Sequence, residues 1–241
     1  MNQRTNEHGQ PIGDDVPGWA ACARPERVTM AGRFCRVEPL NADRHAEALF
    51  EAYRHDPEGL LWTYVPMGPF GDAAALRGWT DGASRDESQL YFAIVDQTSG
   101  LATGIACFLR LQPEHGVIEV GGIVYSPLLQ RTPAATEAMF LMMRHVMKDL
   151  GYRRYEWKCD ALNAPSRRAA ERLGFTYDGL FEQAIVYKGR NRDTAWYSIL
   201  DRDWPALEQA YKAWLDPGNF NADGRQRRAI GSFIAGVGSL S

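Results

Sequence analysis

The segment from Gly116 to Leu150 constrains this chain more than any other. It reads as a strand from Gly116 to Tyr125 (GVIEVGGIVY), a turn (Ser-Pro-Leu-Leu-Gln-Arg-Thr), and a long helix from about Pro133 to Leu150. Two adjacent glycines, Gly121 and Gly122, interrupt the strand; such a pair predicts a bulge or a close approach by a ligand or another backbone. The helix carries Ala135, Met139, Met142, Val146 and Leu150 on one stripe, keeps Glu137, Arg144 and Lys148 off it, and ends at Gly151. Thr132 is placed to cap the helix start. Pro133 takes the first position, where its missing N–H would have been unpaired anyway. The amides of Ala134 and Ala135 are then expected to be free, and with the helix dipole they suit an anion such as a pyrophosphate. Ala134 and Ala135 are small enough to let phosphate oxygens reach the backbone, and Arg131 adds charge at the entrance. Most such turns only cap a helix, so this one needs a companion.

The companion follows the next strand, Arg154 to Cys159 (RYEWKC). There Asn163-Ala-Pro-Ser166-Arg-Arg opens a helix from Pro165 to Leu173, closed by Gly174. Asn163 can cap this helix; its side-chain amide could instead pair with an amide of an extended ligand lying between the two strands. A helix-start anion site and an Asn-x-x-Ser turn, one strand apart, together fit a ligand with a pyrophosphate and an amide-bearing arm. Coenzyme A is such a ligand.

Around this segment the chain alternates simply. Residues 1 to about 30 scatter Gly9, Pro11, Gly13, Pro17, Gly18 and Pro25 among polar residues, which predicts an arm laid on the surface or partly disordered. Phe34 to Leu40 is a first strand, Asn41 caps a helix that ends near His55, and Asp72 caps a second helix through Trp79. Between them Leu60 to Phe70 (LLWTYVPMGPF), broken by two prolines, reads as a loop lining something. Leu90 to Asp96 and Ala102 to Leu111 form a hairpin about Gln97-Thr-Ser-Gly100. Two last strands, Ala184 to Lys188 and Thr194 to Leu200, flank the turn Gly189-Arg-Asn-Arg, a helix runs from Trp204 to Leu215, and the tail from Asp216 is expected to be loose. Seven strands in the order β-α-α-β-β-β-α-β-α-β-β make a mixed α/β (α+β) sheet with helices on both faces. This divides the chain into an arm (1–30), one domain (31–215) and a tail (216–241).

Composition narrows the function classes. A net charge of −3 gives no general attraction to nucleic acid or membrane, and the short run Arg225-Gln-Arg-Arg228 is weak evidence for nucleic-acid binding. Cys22, Cys35, Cys107 and Cys159 are scattered, as in a reduced intracellular protein, and the five histidines show no metal-ligand spacing, so no metal is expected. A polar N-terminus and the lack of a long apolar run point to the cytoplasm. The arm and tail leave a homodimer open.

The pattern Gln130-Arg131-Thr132-Pro133-Ala134-Ala135-Thr136-Glu137-Ala138, then Asn163-Ala-Pro-Ser166, then Glu171-Arg-Leu-Gly174-Phe175, resembles the GNAT N-acetyltransferases, more narrowly the RimJ/RimL-like branch, over roughly Arg33 to Asp201. It departs from the family's glycine-rich turn, with Pro133 and Ala135 at the glycine positions. The resemblance implies the GNAT fold, a mostly antiparallel seven-stranded sheet with an acyl-CoA cleft between the fourth and fifth strands. It also implies acetyl transfer from acetyl-CoA to an amine, a protein N-terminus or a small molecule, by direct attack in a ternary complex. The alternative is an acyl-CoA-binding regulator, or a degenerate relative without turnover.

An ammonium must lose a proton before attack, so a carboxylate base is expected. Glu119, on the face of Val117 and Gly121, is the first candidate: half-burial in a mid-sheet strand would raise its pKa. A structural ion pair is the competing role. Glu156 ranks lower, Glu137 suits a structural place near the helix dipole, and Cys159 is expected in the core. Ser166 is the candidate donor to the leaving thiolate. The backbone of the bulge, including Val124 and Tyr125, is expected to bind the thioester. Gln130, Arg131, Thr132, Ala134, Ala135, Thr136, Asn163 and Arg167 complete the expected cofactor site, with Arg168 beside Arg167. Trp62, Tyr64, Phe70 and Trp79 are expected to line the acceptor pocket.

Overall fold

The computed structural model describes residues 4–235. Short polar side chains fix the helix starts. Asn41 Oδ1 accepts the Arg44 N–H, Asp72 the Ala75 N–H, Thr132 Oγ1 the Ala135 N–H and Asn163 Oδ1 the Ser166 N–H, so all four expected caps are formed. Strands β1 (Met30–Ala31) and β2 (Cys35–Pro39) lead to helix α1 (Ala42–Tyr53), one 3-10 turn at Leu60–Trp62, and α2 (Ala73–Arg85). Strands β3 (Leu90–Asp96), β4 (Ala102–Gln112) and β5 (Val117–Tyr125) follow, then α3 (Pro133–Arg144), which passes into a π turn at His145–Asp149. The chain continues through β6 (Arg154–Asp160), α4 (Ala164–Arg172), β7 (Thr176–Tyr187), β8 (Arg190–Leu200), α5 (Trp204–Leu215) and α6 (Ile230–Ile234).

One eight-stranded sheet results, in the order β1-β2-β3-β4-β5-β6-β8-β7. Every neighbouring pair is antiparallel except β5 and β6. The extra strand is β1, two residues that pair Met30 with Val37 and Ala31 with Arg36; so short a strand has no periodicity to read. Helix α2 runs past Trp79 to Arg85, because burial of Leu76, Thr80 and Ala83 supports it through Gly78 and Gly82. Strand β7 begins at Thr176, well before Ala184. A bulge opposite Asp193, with Gln183 at φ +51°, hides its alternation.

Two cores lie on the two faces. Helices α1 and α2 cover Tyr91, Ala93, Val95, Ile105 and Cys107 on one side. On the other, α3 packs on Phe92, Phe108, Ile118 and Tyr155, and α5 closes over it, with Phe140 stacked on Tyr211 at 5.0 Å. Layered between sheet and α5, α3 is buried at every position from Ala134 to Met143. Residues 217–235, the described part of the tail expected to be loose, are folded. Phe220 and Ile230 are buried, and the buried Asn219 amide donates to the Trp214 and Arg228 carbonyls and accepts the Arg228 N–H. The N-terminal arm lies along the surface, where the Trp19 indole donates to the Glu114 carbonyl at 3.0 Å.

Glu137 is structural for a reason its dipole position did not suggest. Its buried carboxylate accepts the N–H groups of Arg33 (2.8 Å), Phe34 (2.6 Å) and Cys35 (2.9 Å), tying the start of β2 to the first turns of α3. A Cβ on Gly32 would stand 2.4 Å from Glu137 Cδ, so only glycine permits this approach. Truncation would leave buried donors unpaired. Glu137→Ala is expected to lower stability by on the order of 3 kcal/mol in urea unfolding; a loss below about 1 kcal/mol would show the clamp to be dispensable.

Candidate active site

The parallel strands β5 and β6 pair over a short length only, from Val117 opposite Arg154 to Val120 opposite Trp157. β5 nevertheless continues to Tyr125 and β6 to Asp160, so past Val120 the two separate and a slot opens. The divergence coincides with a bulge. Ile105 pairs with Val124 and Cys107 with Gly121, which sets Gly122 and Ile123 against Ala106 alone. Gly122 has φ +56°, and a Cβ there would come 2.8 Å from Cys107 Sγ and 3.0 Å from the Tyr91 ring. The paired glycines therefore mark the bulge expected of them. The β6-facing edge of residues 121–125 has no strand partner among the described residues. Behind it, the Tyr53 hydroxyl donates to the buried Val124 carbonyl at 3.3 Å.

Each strand of the slot feeds a helix, so α3 and α4 start at the same end of the sheet. Arg172 of α4 donates to Thr136 Oγ1 of α3 at 3.1 Å, holding them together. In the first turn, Arg131 is exposed with φ +62°, the Gln130 amide donates to the Tyr125 carbonyl at 2.8 Å, and Thr132 Oγ1 donates to the Leu129 carbonyl. Because Thr132 also takes the Ala135 N–H at 3.2 Å, only the Ala134 N–H of the two amides expected to be free escapes the cap. Asn163 caps α4 through Oδ1, which leaves its NH2 group to other partners. Ser166 Oγ accepts the Trp157 indole N–H at 3.0 Å, and its own proton is within reach of the Cys159 sulfur. Arg167 turns inward to the Tyr197 hydroxyl (3.1 Å) and the Ala161 carbonyl, whereas Arg168 stays exposed. Burial pushes the Cys159 thiol up, with the Ser166 hydroxyl offsetting part of the rise, as suits a core thiol.

The opposite face of β6 carries charge. Glu119, 2% exposed, is not in the half-buried setting its strand position suggested. Its Oε2 meets Arg110 Nη1 at 2.6 Å and Lys158 Nζ at 3.1 Å. Lys158 also reaches Glu156 at 2.7 Å and lies 3.7 Å from the centre of the Trp196 ring; Arg154 holds the other Glu156 oxygen at 2.7 Å. Arg110 reaches in from a register shift in β4, where its φ is +48°. The second oxygen of Glu119 faces the bulge: Oε1 is 3.4 Å from where a Gly121 Cβ would stand. Sequence reading missed Arg110 and Lys158. For Lys158 a signal existed, since 154, 156, 158 and 160 alternate to one side of β6 and the pattern Arg-Glu-Lys-Asp fills it.

Trp62, Phe70 and Trp79 are drawn together in a chain of ring contacts from Tyr53 to Tyr91, spaced 5.0 to 5.7 Å. Tyr64 stands apart, and its hydroxyl donates to the Leu162 carbonyl past the end of β6. The turn of the β7–β8 hairpin meets the same loop: Lys188 Nζ donates to the carbonyls of Trp62 (2.7 Å) and Gly68 (3.2 Å), and Arg190 to that of Thr63.

The family described as the acetyltransferase (GNAT) domain matches residues 35–176. Among solved structures, a GCN5-related N-acetyltransferase from Brucella melitensis is 47% identical with a TM-score of 0.89, covering 91% of this chain and 100% of its own. A second, a GNAT-family protein from Chromobacterium violaceum, is 36% identical with a TM-score of 0.75 over 82% of this chain and 98% of its own. The N-acetyltransferase YnaD of Bacillus subtilis (strain 168) is 25% identical over 63% of this chain and 87% of its own length. RimL, a ribosomal L7/L12 alpha-N-protein acetyltransferase solved with coenzyme A, shares the fold at 17% identity, a TM-score of 0.61 and 72% coverage of this chain and 98% of its own.

Glu156 makes the charged face testable by pH. Burial alone would push its carboxyl up, but hydrogen bonds from Arg154 and Lys158 outweigh it and hold the group below the usual carboxylate range. The unfolded chain, titrating near pH 4.3, then binds the extra proton first. The contribution is present above that pH and lost as pH falls through the lowered folded value. Glu156→Gln is expected to cost about 3 kcal/mol at neutral pH, a deficit that shrinks in acid. Thermal unfolding of both proteins between pH 7 and 3 checks it; parallel curves would show that Glu156 carries no such linkage.

Proposed function

The chain belongs to the acetyltransferase (GNAT) family, and from that premise we propose that it transfers an acetyl group from acetyl-CoA to a primary amine, a protein N-terminus or a small molecule, by direct attack in a ternary complex. The observation that carries this reading is the slot itself. A strand edge without a partner, opened by the Gly122 bulge, can bond the amides of a pantetheine arm as a further strand would. At the end of the slot, the Ala134 N–H and the dipole of α3 favour a pyrophosphate, with Arg131 and Gln130 beside it. The Asn163 NH2 group, not needed for capping, suits an amide of the arm. Arg167 is committed to Tyr197, so Arg168 is the better placed of the two for a terminal phosphate. The bound acyl donor supplies the activated thioester.

The chain's own groups then divide the proton work. The main-chain N–H groups of the bulge, including those near Val124 and Tyr125, suit the oxyanion that develops on the thioester carbonyl. Glu119 is the proposed base, acting directly or through water. Arg110 and Lys158 share its Oε2 and leave Oε1 toward the bulge. Ser166, with its oxygen accepting from the Trp157 indole, is the proposed donor to the departing thiolate, turning its proton from the Cys159 sulfur to do so. The aromatic chain of Trp62, Phe70 and Trp79 borders the proposed acceptor side, with Tyr64 apart from it at the Leu162 carbonyl.

Purified protein is expected to gain thermal stability with acetyl-CoA and to release free thiol only when a suitable amine is present. No stabilisation and no release would reduce the 130–135 turn to a helix cap. Glu119→Gln is expected to keep the acetyl-CoA stabilisation while kcat falls by roughly 100-fold or more; unchanged kcat would remove Glu119 from the mechanism.

A further inference from the structure

Strand β8 shows Arg192, Thr194 and Trp196 on one face, the side that Lys158 and Asp160 of β6 also occupy, because paired antiparallel residues share a side. All three carry a buried polar atom without a hydrogen-bond partner among the described residues: Arg192 Nε, Thr194 Oγ1 and Trp196 Nε1. Thr194 is 2% exposed. Buried polar atoms are almost always satisfied, so three orphans at alternate positions of one strand mark a place that something else completes. All three can donate, and the two N–H groups can do nothing else. The Trp196 ring packs against Phe181 at 4.3 Å and the Lys158 ammonium at 3.7 Å, and its N–H is the polar atom left to bind.

Charge adds a second, independent line. The hairpin carries Lys188, Arg190 and Arg192, the two arginines over the Tyr187 ring, and none of the three has a carboxylate partner among the described residues. Lys188 and Arg190 donate to carbonyls of the 60–70 loop, which leaves the Arg192 guanidinium, 5.9 Å from the centre of the Tyr187 ring, as the cation without a hydrogen-bond acceptor among the described residues. The carboxylates on this face are already engaged: Asp160 accepts from the Leu162 N–H and the Tyr187 hydroxyl, and Glu119 and Glu156 are ion-paired. The loop, meanwhile, is bonded to both the hairpin turn and Leu162, forming a bridge over this end of the cleft. A bridge admits a compact molecule more readily than an extended peptide.

We propose that Arg192, Thr194 and Trp196 form an anion subsite of the acceptor pocket, so that the acceptor is a small amine that also carries a carboxylate or phosphate group. The proposal rests on the acetyl-transfer reading for the amine, but the subsite can be tested without turnover. With CoA bound, the Trp196 indole resonance in a 1H–15N spectrum, identified by its loss in Trp196→Phe, is followed during titration with three acetylated probes. N-acetylglycine carries a carboxylate, N-acetyl-O-phosphoethanolamine a phosphate, and N-acetylglycinamide neither. A saturable shift with either anionic probe and none with the neutral one is expected, and which anion acts names the source. Equal shifts with all three, or none with any, would overturn the subsite. In the transfer assay, Arg192→Gln is expected to lower kcat/KM for the anionic amine at least about tenfold relative to its neutral amide; an unchanged ratio would also overturn it. Anion-specific shifts with no thiol release from any amine would instead bring down the transfer reading and leave the subsite standing.

Discussion

Beyond Val120 and Trp157 the parallel strands β5 and β6 stop sharing hydrogen bonds, and each continues alone to the start of a helix. Main-chain donors and acceptors must be satisfied somewhere, and a strand edge left open in the middle of a sheet is tolerated where water or a ligand can reach it. The separation coincides with the bulge at Gly122, which packs so closely against Cys107 and Tyr91 that no side chain would fit. Everything else follows from it. The two helix starts converge because their strands are neighbours and parallel.

The slot stays open because its surroundings are held firmly. Glu137 fixes the first turns of α3 to β2 through three main-chain amides, Arg172 fixes α4 to α3 through Thr136, and α5 with the folded C-terminal segment presses α3 onto the sheet. On the other face, the ion pairs from Arg110 through Glu119, Lys158 and Glu156 to Arg154 run across β4, β5 and β6. Buried charges are tolerated here because each has a partner of opposite sign.

Local chemistry was legible in the sequence. The caps at Asn41, Asp72, Thr132 and Asn163 involve partners three residues away, and the Gly121-Gly122 pair signals its bulge within one strand. What joins distant segments was not. No spacing links Glu137 to residues 33–35, or Arg110 to Glu119 through a register shift; an ion pair is one of the two roles the sequence leaves open for Glu119, but its partners are not readable there. Strand β1 is too short to have a period, β7 hides its alternation behind a bulge, and the tail after Asp216 owes its order to a few apolar residues and one asparagine. In the site, the cap took the Ala135 amide because a threonine hydroxyl at that position serves its own helix first.

Strand β6 is a partition written in alternating letters. Trp157 and Cys159 look toward Ser166 and the helices, while Glu156, Lys158 and Asp160 look toward the hairpin and the loop. Substitutions at odd positions and at even positions therefore change different chambers. A change on one side of β6 can leave the other side intact, but any insertion of a single residue within β6 would exchange the two.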